Sequence, residues 1–593
     1  MEPKADVVFE ISYEVCNKVG GIYALLSSKA ARIVEVYGQN YYAVGPYYEP
    51  KAGLEFTDEK PPEFLRKIFS QLEKEGIKCY FGKWLIPGRP NTILVDYSGL
   101  MGMKDEIKTR LWEDYGIDSL DADNWFDDPV VWSTAVGMLL DEIRHAMAKE
   151  KKKMVCHFHE WLCGGGLLHV CKKVPTVFTT HATVLGRSMA GCGEDIHKEI
   201  REGLKRKRTV EERREYKYNV QAKHQMEKAC ARYSTVFTAV SETLADEAQY
   251  ILGRRPDMVL PNGLDISKFP TMEEFAVLHR KYRSKIKDFL NAYFAPYYPI
   301  TLWDCMIFFI SGRYEFRNKG IDIFINALGK LNTELKKRKF KRNVFAFFLI
   351  PAGIRGENVG LLENVALHKD LKWLVQEEMP TVEEQIVNET VNTGAPENVR
   401  FRKEFVEECR KKMGDFKKRG TPPLCAFDLT DEKNDQIINA LKENSLTNQG
   451  EDKVKVVFYP SYLSGSDKLL GLDLDQFVEG THLGVFPSYY EAWGYTPQET
   501  AAHGVMSVTT DFAGFGNFIQ KIDDKKHGII VLKRAGKTNE EASRDLFRIM
   551  LDVLLMPREE RINLKTDAKK LAAFADWKVL VENYVEAHNR AVK

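Results

Sequence analysis

Short apolar runs that end in glycine-rich or charged loops, each followed by a helical stretch, recur in two series along this chain. That alternation limits what it can fold into. The first series comprises 7–11, 41–44, 91–95, 154–158, 177–180 and 235–240. The second opens at 306–310 and continues with 344–350, 454–459, 483–486 and 508–510. Strands that alternate with helices build a mostly parallel sheet covered on both faces, so the spacing predicts two doubly wound α/β units. The turn chemistry of Pro261-Asn262-Gly263 closes the first series. At 593 residues the chain is too long for one core. The expected division is a first domain over 1–268 and a second over 269–570. Between 360 and 450 the pattern turns polar, charged and helical with no convincing strand, which reads as a helical insertion in the second domain. Apolar residues return at helical spacing in the tail, where 571–593 is expected as a C-terminal helix packing back on the first domain.

Charge excludes some partners. With 86 basic and 85 acidic residues the net charge is +1, which gives no overall attraction to nucleic acid or to an anionic membrane. The basic run Lys336–Arg342 has no stacking residues organised around it and reads as a solvated helix end. No apolar run approaches the length of a membrane span, and the first residues show no signal-peptide core. Ten scattered cysteines without a CxxC pair fit a reducing, cytoplasmic setting.

In parallel sheets ligands bind beyond the C-terminal ends of the strands, at helix N-termini, so candidate residues belong directly after apolar runs. Lys18-Val-Gly20-Gly21-Ile follows the first. It reads either as a tight strand-to-helix turn or as a loop whose amides face phosphate. His157-Phe-His159-Glu160-Trp follows another. The two histidines are expected on opposite sides of the strand, which argues against a shared metal, and no HExxH is present. His181 and Arg187 follow 177–180, where a histidine can bond a sugar hydroxyl and an arginine fork can hold phosphate. Arg313 and Lys319 share the loop before the next helix. Two cations there would neutralise a pyrophosphate and stabilise a departing one. In SYYEAWGYTPQE, Glu491 and Glu499 have seven residues between them. Glu499, placed where a helix starts after Pro497, could accept hydrogen bonds from ribose, and Glu491 in the loop lies on the sugar side. Gly494 and Thr496 let backbone donors approach.

Together, CNKVGGIY, HFHEWL, TTHATVLGR, PNGLD, SGRYEFRNKG and HLGVFPSYYEAWGYTPQE resemble the animal and fungal type of glycogen synthase, glycosyltransferase family 3. The resemblance runs over most of the chain, with Ala492 where that family usually has proline. It implies a GT-B fold, two Rossmann-like domains facing across a cleft. It implies transfer of glucose from UDP-glucose to the 4-hydroxyl at the non-reducing end of an α-1,4-glucan, with retention of configuration and neither metal nor cofactor. ADP-glucose is the alternative donor. By the same resemblance, Lys18, Gly20 and Gly21 close over the donor, and His181 lies near the 6-hydroxyl of the transferred glucose. Arg187 and Asn262 face the cleft, with Glu160 and His159 supporting it. Arg313 and Lys319 contact the donor phosphates. Glu491 stands near the sugar, Glu499 at the ribose, and Gly494, Tyr495 and Thr496 beside the nucleotide. The 360–450 insertion corresponds to an arm with homo-oligomer contacts, implying a tetramer.

One departure stands out. The family's dense arginine cluster, used for activation by glucose 6-phosphate, is thinned here to Arg558 and Arg561 among Glu559, Glu560 and Asp567. Weak or absent sugar-phosphate activation is therefore expected. Rival readings are a retaining transferase with a small acceptor, such as a sucrose- or trehalose-phosphate synthase, a phosphorylase carrying pyridoxal phosphate, and a glucan-binding scaffold without catalysis.

Overall fold

A computed structural model describes residues 1–522 and 528–593. Its nine-stranded sheet runs in the order Phe56–Asp58, Lys78–Trp84, Asn91–Asp96, Tyr41–Pro46, Val7–Ile11, Met154–His159, Thr176–Thr180, Val236–Ala239, Met258–Val259. From Asn91–Asp96 onward every neighbour is parallel. The first three strands form an antiparallel edge. A second, six-stranded and wholly parallel sheet runs Val454–Phe458, Val344–Leu349, Met306–Ser311, Leu483–Val485, Met506–Thr510, Ile529–Leu532.

The central strands are buried on both faces, which is why they read as unbroken apolar runs rather than alternating ones. Strands with weaker signals went unread. Lys78–Trp84 mixes lysine, glycine and aromatics, because it lies near the open antiparallel edge, and Ile529–Leu532 is a short edge strand. The 360–450 stretch holds the helices Val359–Thr393 and Lys403–Phe416, as its polarity suggests. It also contains one strand, Phe427–Leu429, paired antiparallel with Ile354–Glu357.

Helix Trp577–Ala591 lies against helix Gly21–Tyr37. Trp577 is fully buried there, and its indole N–H donates to Ser28 Oγ at 2.8 Å. The chain crosses between the two sheets twice, and the crossings pair. Leu264 N–H donates to Ala575 O at 2.9 Å, and Trp577 N–H to Leu264 O at 3.0 Å. An apolar seam including Val240, Leu244, Trp493, Phe515 and Leu571 joins residues of both halves.

The strand order of each sheet reverses once near its middle, between Val7–Ile11 and Met154–His159 in the first and between Met306–Ser311 and Leu483–Val485 in the second. Such switch points open a crevice at the C-terminal ends of the strands. The chain leaves these strands into the loops that hold Gly20, Glu160, Arg313 and Glu491.

The loop with Arg313 and Lys319 ends at Gly320, which has φ 69°. A Cβ there would meet the Pro487 carbonyl oxygen at 2.1 Å, so both conformation and space demand glycine. Gly320→Ala is expected to cost about 2 kcal/mol or more. The measurement is a thermal melt at fixed scan rate, where the variant should melt several degrees lower.

Candidate active site

Around the first switch point, Glu160 adopts φ 68°, ψ 165°, a region nearly reserved for glycine. The structure compensates by aiming its carboxylate at the next strand's end, where Glu160 Oε1 accepts the amides of His181 at 2.6 Å and Ala182 at 3.1 Å. Burial raises its pKa to about 7 against these bonds and the nearby Arg187. His181 Nε2 lies 2.9 Å from His159 Nδ1. Contrary to the sequence expectation, His157 and His159 share one face and stack with ring centroids 4.4 Å apart, as residues two apart on a strand must. With Glu10 they form a cluster of metal-ligand types. The Lys29 ammonium, however, is bonded to the Glu10 carboxylate within it, so the donor set already holds a cation.

In the glycine turn, Gly20 and Tyr23 N–H groups both donate to Glu14 Oε2 at 2.8 Å. The amides expected to face phosphate therefore face a carboxylate that the sequence reading passed over. Lys18 is exposed, with its ammonium 5.8 Å from the Tyr23 ring, and Gly21 begins the helix.

Arg187 and Arg313, from the two halves, meet on Glu315 Oε1 at 2.9 and 3.0 Å. Burial pushes the Glu315 pKa up, but Arg187, Arg313 and Lys319 outweigh it and hold the carboxyl below its usual value. Lys319 in turn bonds Glu491. These two line a small cavity with Ser311, Thr496 and Thr509. The hydroxyls of Ser311 and Thr509 are buried there with no partner among the described residues. Asn262 Oδ1 and Tyr495 OH are likewise buried and unpartnered, while the Asn262 carbonyl accepts from Gln498 at 3.4 Å. Buried polar atoms without a protein partner are uncommon, and these leave room for hydrogen bonds to water or to a ligand.

The loop 488–493 is fastened to the other half. Tyr490 OH donates to Glu247 at 2.8 Å, Ser241 Oγ to Ala492 O at 2.7 Å, and His197 Nε2 lies 3.0 Å from Tyr489 O. Gly494, with φ 107°, caps helix Tyr495–Ala502. That helix starts two residues before Pro497, so Glu499 lies one turn inside it rather than at its start. Its carboxylate accepts no hydrogen bond among the described residues. Its electrostatic neighbours are Asp475 and His503, so it stands apart from the cation group. The structure thus gathers Arg187, Arg313, Lys319 and Glu491 through Glu315, and His181, His159 and Glu160 on the facing wall. The sequence reading assigned no role to Glu10, Glu14, Glu315 or Ser311. Glu315 sits inside a quoted motif and Glu14 two residues before one, and a lone acid near basic or glycine residues is the available signal.

Two doubly wound domains with a cationic, polar crevice between facing switch points define a GT-B glycosyltransferase. The fold matches the catalytic domain of starch synthase IV from Arabidopsis thaliana, bound to ADP and acarbose, with a TM-score of 0.50 at 13% identity over 99% of this chain and 100% of that one. The family model described as glycogen synthase matches residues 10–593. The chain is 34% identical to the glycogen [starch] synthase of Neurospora crassa over 610 residues, 100% of this chain and 84% of that protein. It is 33% identical to the liver enzyme of Mus musculus, over 98% of this chain and 83% of that protein. The chain belongs to the glycogen synthase family.

Burial, with Asp475 adding to it, raises the Glu499 pKa to about 7 from an ordinary 4.5. Between those values the folded state binds more protons than the unfolded one. The stabilisation this gives is complete below the unfolded pKa and is lost as pH rises toward 7. Ligand-free Glu499→Gln should therefore melt above the unmodified protein at pH 8 and level with it at pH 4.5. Thermal melts across that range check the sign.

Proposed function

We propose that the crevice transfers glucose from UDP-glucose to the non-reducing 4-hydroxyl of an α-1,4-glucan with retention of configuration, in keeping with the family. The observation that carries the site assignment is the convergence of Arg187, Arg313 and Lys319 on carboxylates at the facing switch points. Arg313 and Lys319 hold the donor diphosphate and stabilise the charge that grows on it as its bond to the sugar C1 breaks. Glu491 and His181 position the sugar, His181 near its 6-hydroxyl. The new bond forms between C1 and the acceptor oxygen on the same face, and the acceptor proton passes to a leaving phosphate oxygen. No separate base is needed. Lys18, Gly20 and Gly21 close over the donor, Arg187 and Asn262 line the cleft, and Glu160 and His159 support its wall. Gly494, Tyr495 and Thr496 hold the nucleotide, with Glu499 at the ribose. Closure along the 488–493 loop excludes water, which would otherwise divert the sugar to hydrolysis.

The division into 1–268, 269–570 and a returning segment 571–593 is proposed with this reading, and the two paired chain crossings support it. A homotetramer through 360–450 is proposed because the arm exposes Trp373, Met379, Val387, Val391 and Phe401. No helix among the described residues is long and apolar enough to cross a membrane, and a cytoplasmic setting is proposed.

We also propose weak or absent activation by sugar phosphate. The late helix Arg558–Ala572 packs where Arg283, Arg342, Arg558 and Arg561 feel one another, so the cluster is less thin than its own helix suggests. Several cations in this region are nevertheless engaged by protein oxygens. Arg283 donates to Cys305 O at 2.9 Å, Lys565 to Thr481 O at 3.1 Å, and Arg342 pairs with Asp304 at 2.6 Å.

Glycogen-dependent release of UDP from UDP-glucose, with chain elongation, tests the reaction, and ADP-glucose in parallel tests the alternative donor. Arg313→Ala and Lys319→Ala should each lower kcat by about 10²–10³-fold. Glu491→Gln should lower kcat at saturating donor, and an unchanged kcat removes its assigned role. Added glucose 6-phosphate should change the rate by less than about twofold; a stronger response would restore regulation to the cationic cluster.

A further inference from the structure

A chain of buried polar groups runs from the crevice wall into the first domain. His181 Nε2 is 2.9 Å from His159 Nδ1, and His159 Nε2 is 2.8 Å from Glu10 Oε1. The same Glu10 oxygen takes the Lys29 ammonium, and Tyr41 donates its hydroxyl to the other oxygen. Glu10, Lys29 and His159 are all at most 1% exposed. Lys29 is further held over the Tyr584 ring, 3.8 Å from its centroid, by the C-terminal helix.

Three donors converge on one carboxylate. Burial alone would raise its pKa, but Lys29 and then His159 outweigh that and hold it well below the usual range. An ionised carboxylate only accepts, so His159 must carry its proton on Nε2. Burial keeps His159 neutral, which leaves Nδ1 a bare acceptor. It can then bond His181 only if His181 carries its proton on Nε2. Burial, with His159 and Lys29 beside it, keeps His181 neutral too. Its Nδ1 is therefore a bare acceptor, with no partner among the described residues.

We propose that Glu10 and His159 are positioning residues that lock His181 in the Nε2–H tautomer, so that Nδ1 accepts a hydrogen bond from the 6-hydroxyl of the transferred sugar. The proposal rests on the reading that His181 lines the sugar site. The polarity of the whole chain is set at Glu10, which is buried. A donor sugar without that hydroxyl would leave a desolvated acceptor unpaired, which is the kind of penalty that discriminates strongly. A neutral acceptor also suits a sugar that gains positive charge as the leaving group departs, where a histidine cation would oppose it.

The test compares kcat/KM for UDP-glucose and UDP-6-deoxyglucose with glycogen as acceptor. The unmodified enzyme should prefer the hydroxylated donor by about 10-fold or more. His159→Phe should reduce that preference to about twofold, because His181 then chooses its tautomer freely. His159→Gln should restore it, since a glutamine amide offers the same polarity, an acceptor toward His181 and a donor toward Glu10. The paired replacement Glu10→Leu with Lys29→Met removes the buried charges together and should behave like His159→Phe. A purely structural role would lower both donors equally in every variant and would overturn the proposal. No turnover of UDP-glucose by the unmodified enzyme would instead overturn the glucosyltransferase reading. The tautomer is read independently by nitrogen-15 NMR of histidine-labelled protein, taking the resonances lost in His181→Asn. A protonated Nδ1 there sinks the proposal independently of any activity assay.

Discussion

The fold depends on a geometric constraint of parallel sheets. Helices cover both faces, so the backbone opens toward a ligand only at strand ends, and it opens widest where successive connections leave in opposite directions. This chain has one such point in each sheet, and each releases loops into the same crevice. The site is therefore built from loops on two rigid frames. Its precision depends on how the frames meet. The contacts that settle this are the apolar seam and a set of specific polar bonds: Tyr490 on Glu247, Ser241 on the Ala492 carbonyl, Gln498 on the Asn262 carbonyl. The loop with Glu491 is thus shaped as much by the first domain as by the second.

Within the crevice each feature suited to phosphate is matched by a carboxylate of the chain itself. Glu14 takes the amides of the glycine turn, Glu315 the two arginines and Glu491 the lysine. Electrostatics explains the arrangement. Cations brought together in a partly desolvated cleft repel one another, and amides at a helix start need an acceptor. Internal carboxylates satisfy both demands in the absence of a diphosphate. A donor that displaces them gains less than it would from bare cations, so binding is weaker. Under the proposed diphosphate-binding role, the same exchange would return the carboxylates when the diphosphate leaves and so favour release of a charged product.

The doubly wound plan was legible because central parallel strands are buried on both faces and stand out as apolar runs. Residues that project chemistry from the ends of those runs, such as His181, Arg313, Lys319 and Glu491, were legible for the same reason. Edge strands such as Lys78–Trp84 were not, since partial exposure dilutes their pattern. The helix start at Tyr495 was placed too late because Pro497 looked like a residue at the helix boundary, yet it occupies the third helical position, where its missing N–H also costs nothing. Glu10 was invisible. One acid inside the apolar run 7–11 gives no local sign that a lysine on the next helix and a histidine 149 residues away will converge on it. Buried polar networks are set by tertiary contacts and leave no period in the sequence.

The C-terminal helix ties these levels together. It supplies Tyr584 to the Lys29 ammonium and His588, whose Nε2 lies 3.2 Å from His157 Nδ1, to the histidine cluster behind the crevice. The last turns of the chain are thus part of the wall that orients His181. To reach that place the chain must return from the second domain, and it does so beside the outgoing crossing, hydrogen-bonded to it on both sides of Leu264. Two paired segments resist bending and twisting more than one would, and they define a single line about which the domains can rotate. The contacts at Glu315 and Glu247 span the two halves, whereas the buried Glu10–Lys29 pair lies wholly within the first. Removing one partner of a pair so buried would cost about 3–5 kcal/mol. The halves are joined by part-exposed ion pairs at Glu315, by the buried Tyr490–Glu247 hydrogen bond and by the apolar seam, while the polar group behind His181 is anchored within the first domain and the helix that returns to it.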